Sequence, residues 1–260
     1  MDTPPPIHVS LRGVTKVYDS KLGRTHALGP IDLDLRRDEF FAVVGPSGCG
    51  KSTLLDVIAA LAPPSSGEVT FEGRPIGSSV PDGVGVVFQE NACFPWLDVA
   101  DNITFGLRRQ GIEKAEIKRR LQYALQLMGL QDFARAFPAQ LSGGMRQRVC
   151  IARTLVMQPR LILLDEPFGA LDQQTRLLMG DELLRIWRAT GATVLLITHA
   201  LDEAAMLADR VAVMSARPGR ILKVIETGWP RERDSQIVSV AEFGTITARL
   251  WTLLREQSMR

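Results

Sequence analysis

The sequence predicts an α/β fold built on a mostly parallel sheet, and three observations predict it. Residues 40–44, 161–164 and 193–197 are continuous apolar runs rather than alternating ones, as expected of parallel strands covered on both faces. Segments of helical period separate these runs, with residues 175–190 placed as a crossover helix between the last two. The first run leads directly into Gly45-Pro46-Ser47-Gly48-Cys49-Gly50-Lys51-Ser52-Thr53, which fits the phosphate-loop pattern G-x-x-x-x-G-K-[ST] between a strand and a helix.

The remaining elements follow in chain order. Residues 7–70 mix short β-type runs with turn signals, and Ile31-Asp32-Leu33-Asp34-Leu35 alternates with period 2, the pattern of a half-exposed strand. A helix over residues 52–61 ends at Pro63-Pro64-Ser65-Ser66-Gly67, after which Glu68-Val69-Thr70-Phe71 reads as a strand and Glu72-Gly73 as its turn. Gly85-Val86-Val87-Phe88 is a further short apolar strand. From residue 100 to 138 the period becomes helical, and a helix over 114–128 meets its C-cap at Gly129. Ser142, Gly143 and Gly144 open another helix over 145–157. Residues 210–213 and 221–225 form a late β pair turned by Pro218-Gly219, and residues 238–255 form an amphipathic tail helix.

Composition narrows the function classes. The 260 residues are 45% hydrophobic and 23% charged, which fits a soluble globular chain with a sizeable core. A net charge of +2 with no run of like charges gives no footprint for nucleic acid. No apolar run reaches the length of a membrane span, so any membrane work needs another chain. Met1-Asp2-Thr3-Pro4-Pro5-Pro6 has neither the basic nor the apolar part of a signal peptide. Cys49, Cys93 and Cys150 lack metal or disulfide spacing and point to a reducing compartment. There is no internal repeat or low-complexity linker.

The phosphate loop carries a chemical reading of its own. Its glycines let the backbone curl so that N–H groups converge on phosphate oxygens. Lys51 can reach the β- and γ-phosphates, the Ser52 hydroxyl can ligate Mg²⁺, and the following helix turns its N-terminus to the anion. Leu161-Ile162-Leu163-Leu164 ends in Asp165-Glu166. That pair reads either as a plain solvent-facing strand end or as a Mg²⁺ ligand beside a general base for an attacking water.

Five further segments carry a family resemblance. Leu141-Ser142-Gly143-Gly144-Met145, lying between the phosphate loop and the Asp165-Glu166 strand, resembles the signature motif of ATP-binding cassette (ABC) ATPases. Tyr18 is similar to the aromatic that stacks on adenine in that family, with ordinary packing as the other reading, and Gln89 to the Gln that senses Mg²⁺ and water. Gly169-Ala170-Leu171-Asp172 resembles the loop that crosses the dimer interface, and His199 the switch histidine at the γ-phosphate. The resemblance covers nearly the whole chain.

It implies a P-loop NTPase core with an N-terminal antiparallel β-subdomain and an inserted helical subdomain (about 96–158) carrying the signature. The cassette spans residues 7–230, followed by a helical tail over 231–260. The implied cofactors are ATP and Mg²⁺. Glu166, His199 and Gln89 are the implied catalytic residues, and Ser52, Gln89 and Asp165 the metal residues. Tyr18, the loop from Gly45 to Thr53, and Ser142, Gly143, Gly144 and Asp172 hold nucleotide. The signature helix has its own physical rationale, because its free N–H groups and positive end suit an anion. In the family that anion is the γ-phosphate held by a second copy, so hydrolysis needs a head-to-tail homodimer with two ATP at the seam.

Several residues take plainer readings. His8 and His26 fit no motif and are read as surface residues, and Arg146 and Arg148 as a solvated helix face. Cys49 is read as a small filler whose thiol is open to alkylation when ATP is absent. Two features depart from the family pattern: the signature ends in Met145 rather than Gln, and the chain stops soon after Arg255, without room for the added regulatory β-domain of sugar importers.

Phe94-Pro95-Trp96-Leu97 offers apolar anchors for the coupling helix of a membrane permease, or else plugs a loop. That segment and Met214-Ser215-Ala216-Arg217-Pro218-Gly219-Arg220-Ile221 resemble the nitrate, sulfonate, taurine and bicarbonate importer branch. The implied task is ATP-driven uptake of a small anion at the cytoplasmic face of the membrane. The implied partners are transmembrane permease subunits and, indirectly, a periplasmic or lipid-anchored solute-binding protein. A membrane signalling complex or a DNA- or ribosome-associated ATPase stays open as the alternative, and no residue chooses the solute.

Overall fold

The computed structural model describes residues 5–20, 23–89, 92–169 and 171–258. Residues 1–4, Ala170 within the predicted interface loop, and the last two residues of the predicted tail lie outside the described residues.

The chain opens with β1 (Ile7–Ser20) and β2 (Gly23–Arg36), an antiparallel pair. Then come β3 (Phe40–Val44), the phosphate loop and α1 (Lys51–Ile58). Next are β4 (Ser66–Phe71), β5 (Arg74–Pro75) and β6 (Val84–Val87). Three helices follow in succession: α2 (Val99–Arg109), α3 (Lys114–Met128) and α4 (Gly143–Leu155). The chain then alternates: β7 (Leu161–Asp165), α5 (Gln173–Thr190), β8 (Thr193–Ile197), α6 (Leu201–Leu207) and β9 (Arg210–Met214). It finishes with β10 (Ile221–Glu226) and α7 (Ala241–Ser258).

Two sheets result. A six-stranded sheet runs β10-β9-β3-β8-β7-β6, parallel except for β10, and a four-stranded antiparallel sheet runs β2-β1-β4-β5. β1 and β2 are longer than the short runs read from sequence, because register shifts between Leu11 and Lys16 let them bend without ending. The first helix is shorter than predicted. It stops at Ile58, and Ala60 turns to φ 57°.

The side chains of β3 alternate between two cores. Phe40, Ala42 and Val44 join the core beneath α2–α6, whereas Phe41 and Val43 join the core shared with α1 and the antiparallel sheet. Each fully buried Leu, Ile or Phe contributes about 1.5–3 kcal/mol relative to an exposed one, so a strand with no wet face is fixed from both sides. Local signals set the helix ends. The Asp98 carboxylate accepts from Asp101 N at 2.7 Å to open α2, and Gly129 closes α3 in the left-handed region.

Two plain sequence readings are corrected. His8 is buried rather than on the surface, because β1 carries it beneath the antiparallel sheet. Its Nδ1 lies 2.5 Å from Thr193 Oγ1 and its Nε2 3.4 Å from the Glu72 carboxylate. Burial, then the charge of Arg37, lowers its pKa below the ordinary histidine value. Arg146 and Arg148 are not a solvated face. Each is half-buried and donates to carbonyls that no helix bond satisfies: Arg146 Nη1 to Leu141 O at 2.6 Å, and Arg148 Nη1 to Met128 O at 2.8 Å. His26 is exposed, as read.

The tail helix α7 docks rather than hangs free. Phe243, Ile246 and Leu250 enter the core that α6 and β9 also line, with Leu250 fully buried. Leu250→Ala should therefore destabilise the whole cassette by about 2–5 kcal/mol, seen as a lower urea midpoint with unchanged slope. An unshifted midpoint would mean that the tail does not share the core.

Candidate active site

The phosphate loop leaves the buried end of β3 and turns sharply enough that glycine is required. Gly50 sits at φ 108°, and a Cβ there would lie 2.7 Å from Ala27 O. Lys51 folds back over the loop, donating from Nζ to Gly45 O at 2.9 Å and Pro46 O at 3.0 Å. Ser47, Gly48, Gly50, Lys51, Ser52 and Thr53 line a cleft of about 510 Å³, a volume in the range of small-molecule sites. Tyr18, Gln89, Glu166 and His199 line the same cleft. Gly45, Pro46 and Cys49 belong to the loop but do not line the cleft. The expectation of an open Cys49 thiol is corrected: it is 1% exposed, and burial pushes its pKa up.

Glu166 follows the last residue of β7 at φ 46°, a left-handed conformation that costs a non-glycine residue energy. Two contacts from separate strand ends grip its carboxylate. Gln89 Nε2 donates to Oε2 at 2.9 Å, and His199 Nδ1 stands 3.3 Å from Oε1. The three residues predicted as catalytic thus meet at one carboxylate on the rim of the phosphate cleft. Such an arrangement can accept a proton from a water and present an imidazole beside it.

Asp165 lies just inside, at the buried end of β7. Burial raises its pKa, while a hydrogen bond from Ser52 opposes that shift. Its Oδ1 is buried with no hydrogen-bond partner among the described residues. A carboxylate oxygen left over beside a hydroxyl suits a hard divalent cation that takes its other ligands from phosphate and water. Among the described residues no group of three or more His, Cys, Asp and Glu forms an all-protein metal cage.

The other predicted nucleotide residues sit elsewhere. Ser142 is exposed and caps α4, its Oγ accepting from Met145 N at 3.3 Å. Gly144 passes so close to the loop after β7 that a Cβ would lie 2.7 Å from Leu171 Cδ2. Asp172 is an exposed cap of α5, accepting from Thr175 N at 2.9 Å and Thr175 Oγ1 at 2.7 Å, contacts that hold its carboxyl below its ordinary pKa. Ser142, Gly143, Gly144 and Asp172 do not line the cleft of their own chain.

Four residues in or beside the site escaped the sequence reading: Thr25 and Ala27, which line the cleft, and Arg217 and Glu203. Arg217 reaches back from the turn after β9 and donates to Gly48 O from Nη2 at 2.9 Å and Nε at 3.1 Å, walling the cleft. Its segment was read only for its resemblance to an importer branch. Glu203, buried on α6, accepts from Thr198 Oγ1 at 2.7 Å, and Ala200 N donates to the same hydroxyl at 3.0 Å. Burial pushes the Glu203 carboxyl up to about 7. The available signal was a carboxylate on the apolar face of a short helix.

Comparison with known proteins places this geometry in a family. The sequence profile described as ABC transporter matches residues 28–169. The chain is 40% identical over 255 residues to the nitrate import ATP-binding protein of Synechocystis, covering 96% of each chain. It is 42% identical over 248 residues to the taurine import ATP-binding protein of Pseudomonas aeruginosa, covering 93% of this chain and 94% of that one. An ATP-binding cassette solved as a dimer in a post-hydrolysis state with ADP and Pi superposes with a TM-score of 0.77 at 31% identity, covering 85% of this chain and all of the other. Cleft, carboxylate and motif order agree with that likeness, and the chain belongs to the ABC transporter family as one of its ATP-hydrolysing cassettes.

Proposed function

We propose that this ATPase powers uptake of a small anionic solute of the nitrate, sulfonate, taurine or bicarbonate type. It works at the cytoplasmic face of the membrane beneath separate permease subunits, which receive solute from a periplasmic or lipid-anchored binding protein. One observation carries the reading. Trp96 is 69% exposed on a ledge that follows Gln89, and that ledge is rigidly built. Its ring stacks on Phe94 at 5.5 Å, and Phe94 packs on Phe105 at 4.7 Å. The fully buried Asn102 holds the turn, accepting from Phe94 N at 2.8 Å and donating to Leu97 O at 2.9 Å. A preorganised exposed aromatic is the usual energetic anchor of an interface. The names of the nitrate and taurine import relatives support the solute class. No helix among the described residues is long and apolar enough to cross a membrane, so the reading assigns that task to the permease.

The cleft and the signature then belong to two half-sites. In the proposed head-to-tail dimer, Ser142, Gly143, Gly144 and Asp172 face the nucleotide of the other copy, because they are turned away from their own cleft. Phosphates rest on the N–H groups of residues 47–53, Lys51 exchanges the carbonyls of Gly45 and Pro46 for phosphate oxygens, and Tyr18 stacks on adenine. Ser52 and Asp165, with Gln89 nearby, would hold Mg²⁺, which neutralises phosphate charge when bound. Glu166 accepts the proton of the attacking water, and Gln89 and His199 fix where its carboxylate points.

Glu166→Gln should bind ATP with near-normal affinity yet hydrolyse it at least about a hundredfold more slowly, accumulating as a dimer on size exclusion in ATP. Turnover at the wild-type rate would remove Glu166 as the base. Trp96→Ala should leave ATP binding intact and weaken retention on permease-containing membranes by about thirtyfold, the scale of a hot spot. Equal membrane recovery of variant and wild type would count against the ledge as a docking site. The decisive test is a pull-down of tagged chain from detergent-solubilised host membranes with partners identified by mass spectrometry. A polytopic permease supports import. Ribosomal, DNA-repair or single-span signalling partners would overturn transport while keeping the ATPase.

A further inference from the structure

We propose that Cys93 and Cys150 are a thiol-oxidation site: hydrogen peroxide joins them in a reversible disulfide that staples the segment after Gln89 to helix α4 and throttles the ATPase. The two cysteines are 57 residues apart in sequence, yet their sulfurs lie 3.4 Å apart. Both are free thiols. Forming the bond needs the sulfurs to close by little more than an ångström, to the ordinary separation of about 2.05 Å.

The surroundings hold this pair in register. Cys93 Sγ also donates to Arg146 O at 3.4 Å, one helical turn before Cys150 on α4. Arg153, on the same helix, donates to Ala92 O at 2.8 Å, and its guanidinium lies 4.8 Å above the Phe94 ring. The residues on either side of Cys93 are therefore already tied to α4, and a disulfide would complete an existing contact. Cys93 is partly exposed while Cys150 is buried, so a small oxidant can enter from the Cys93 side.

The two sulfurs share one hydrogen bond, and the charge of Arg153 favours the thiolate form of either. One sulfur, as thiolate, attacks a peroxide oxygen, the O–O bond breaks, and its sulfenic acid and hydroxide form. The other sulfur then attacks the sulfenic sulfur, the S–O bond breaks, and water leaves carrying the second thiol's proton. Two electrons pass from the two sulfurs to the peroxide, and a dithiol reductant reverses the step. Cys49, the remaining thiol, is buried with its pKa raised and lies against Lys51 rather than another sulfur.

The bond would matter because of what it joins. Cys93 lies four residues beyond Gln89, which touches Glu166, and immediately before the Phe94–Trp96 ledge; α4 opens at Ser142. A covalent tie makes the Gln89 segment and the signature helix one body, so neither can shift alone during turnover. This consequence concerns the ATPase and is independent of which solute is carried.

The purified full chain is treated with hydrogen peroxide, and its thiols, peptides and ATPase rate are measured before and after dithiothreitol. Free thiols should fall from three to one, and a digest should yield a Cys93–Cys150 linked peptide. ATP hydrolysis should drop at least about fivefold, the lower end of ordinary coupling between sites, and return on reduction. Cys93→Ser should keep the basal rate within about twofold and lose the peroxide response. Cys150→Ala should match it, and if that variant does not fold, Cys93→Ser alone carries the comparison. Overturning results are an unchanged thiol count, a linked peptide containing Cys49, a linked pair with undiminished hydrolysis, or equal inhibition of Cys93→Ser and wild type.

Discussion

The three central parallel strands of this protein have no wet face, and that constraint decides where its chemistry can be. β3, β7 and β8 are buried along their whole length, and an unpaired polar group inside such a layer costs several kcal/mol. Polar function is confined to the strand ends. All five parallel strands use the same end: the phosphate loop follows β3, Gln89 follows β6, Glu166 follows β7, His199 follows β8 and Arg217 follows β9. Neighbouring strands bring these carboxyl ends together although the residues span most of the sequence, which is why an open α/β sheet places its ligand there. The antiparallel strand β10 closes the edge and contributes none of the residues lining the cleft.

Crowding polar groups at one edge of an apolar layer sets their electrostatics. Asp165 and Glu203 are both carboxyls raised by burial, and each keeps one oxygen without a protein partner among the described residues. They differ in where that oxygen sits. Asp165 stands behind the cleft and is bonded to Ser52, which lines it. Glu203 is closed beneath the turn that carries His199, and its bond to Thr198 fixes that turn. Glu166 is half-buried, the least buried of the three, and its left-handed backbone is held by Ile197 O, which accepts from Glu166 N at 2.8 Å. The paired strands β7 and β8 end just before it, at Asp165 and Ile197.

What was legible in the sequence was whatever depends on local pattern. Continuous apolar runs gave the parallel strands, Gly129 gave the end of α3, and the glycine, lysine and hydroxyl spacing gave the phosphate loop. What was not legible depends on contacts between distant segments. His8 reads as a lone polar residue, and only its pairing with Thr193, 185 residues away, makes burial tolerable. Arg146 and Arg148 look like a charged helix face until the carbonyls of Leu141 and Met128 are brought against them. Arg217 belongs to the site only because the turn after β9 folds over Gly48. Cys93 and Cys150 have no diagnostic spacing because the chain that separates them is a whole pair of helices. A residue's own neighbours in sequence carry no trace of such partners.

The parts of the site also differ in how firmly they are held. The phosphate loop is held by several contacts at once: Gly50 packs against Ala27 of β2, Lys51 donates to the Gly45 and Pro46 carbonyls, and Arg217 donates to Gly48 O. The Glu166 carboxylate instead depends on single side chains from two other strand ends. One of these, Gln89, begins the segment that runs to Phe94, and Phe94 is held by Asn102 of α2. α2 is therefore bonded to the segment that carries Gln89 to the carboxylate. In the proposed mechanism the first set of contacts holds nucleotide and the second places the general base. The position of Glu166 in that mechanism depends on Gln89 and His199, which follow β6 and β8.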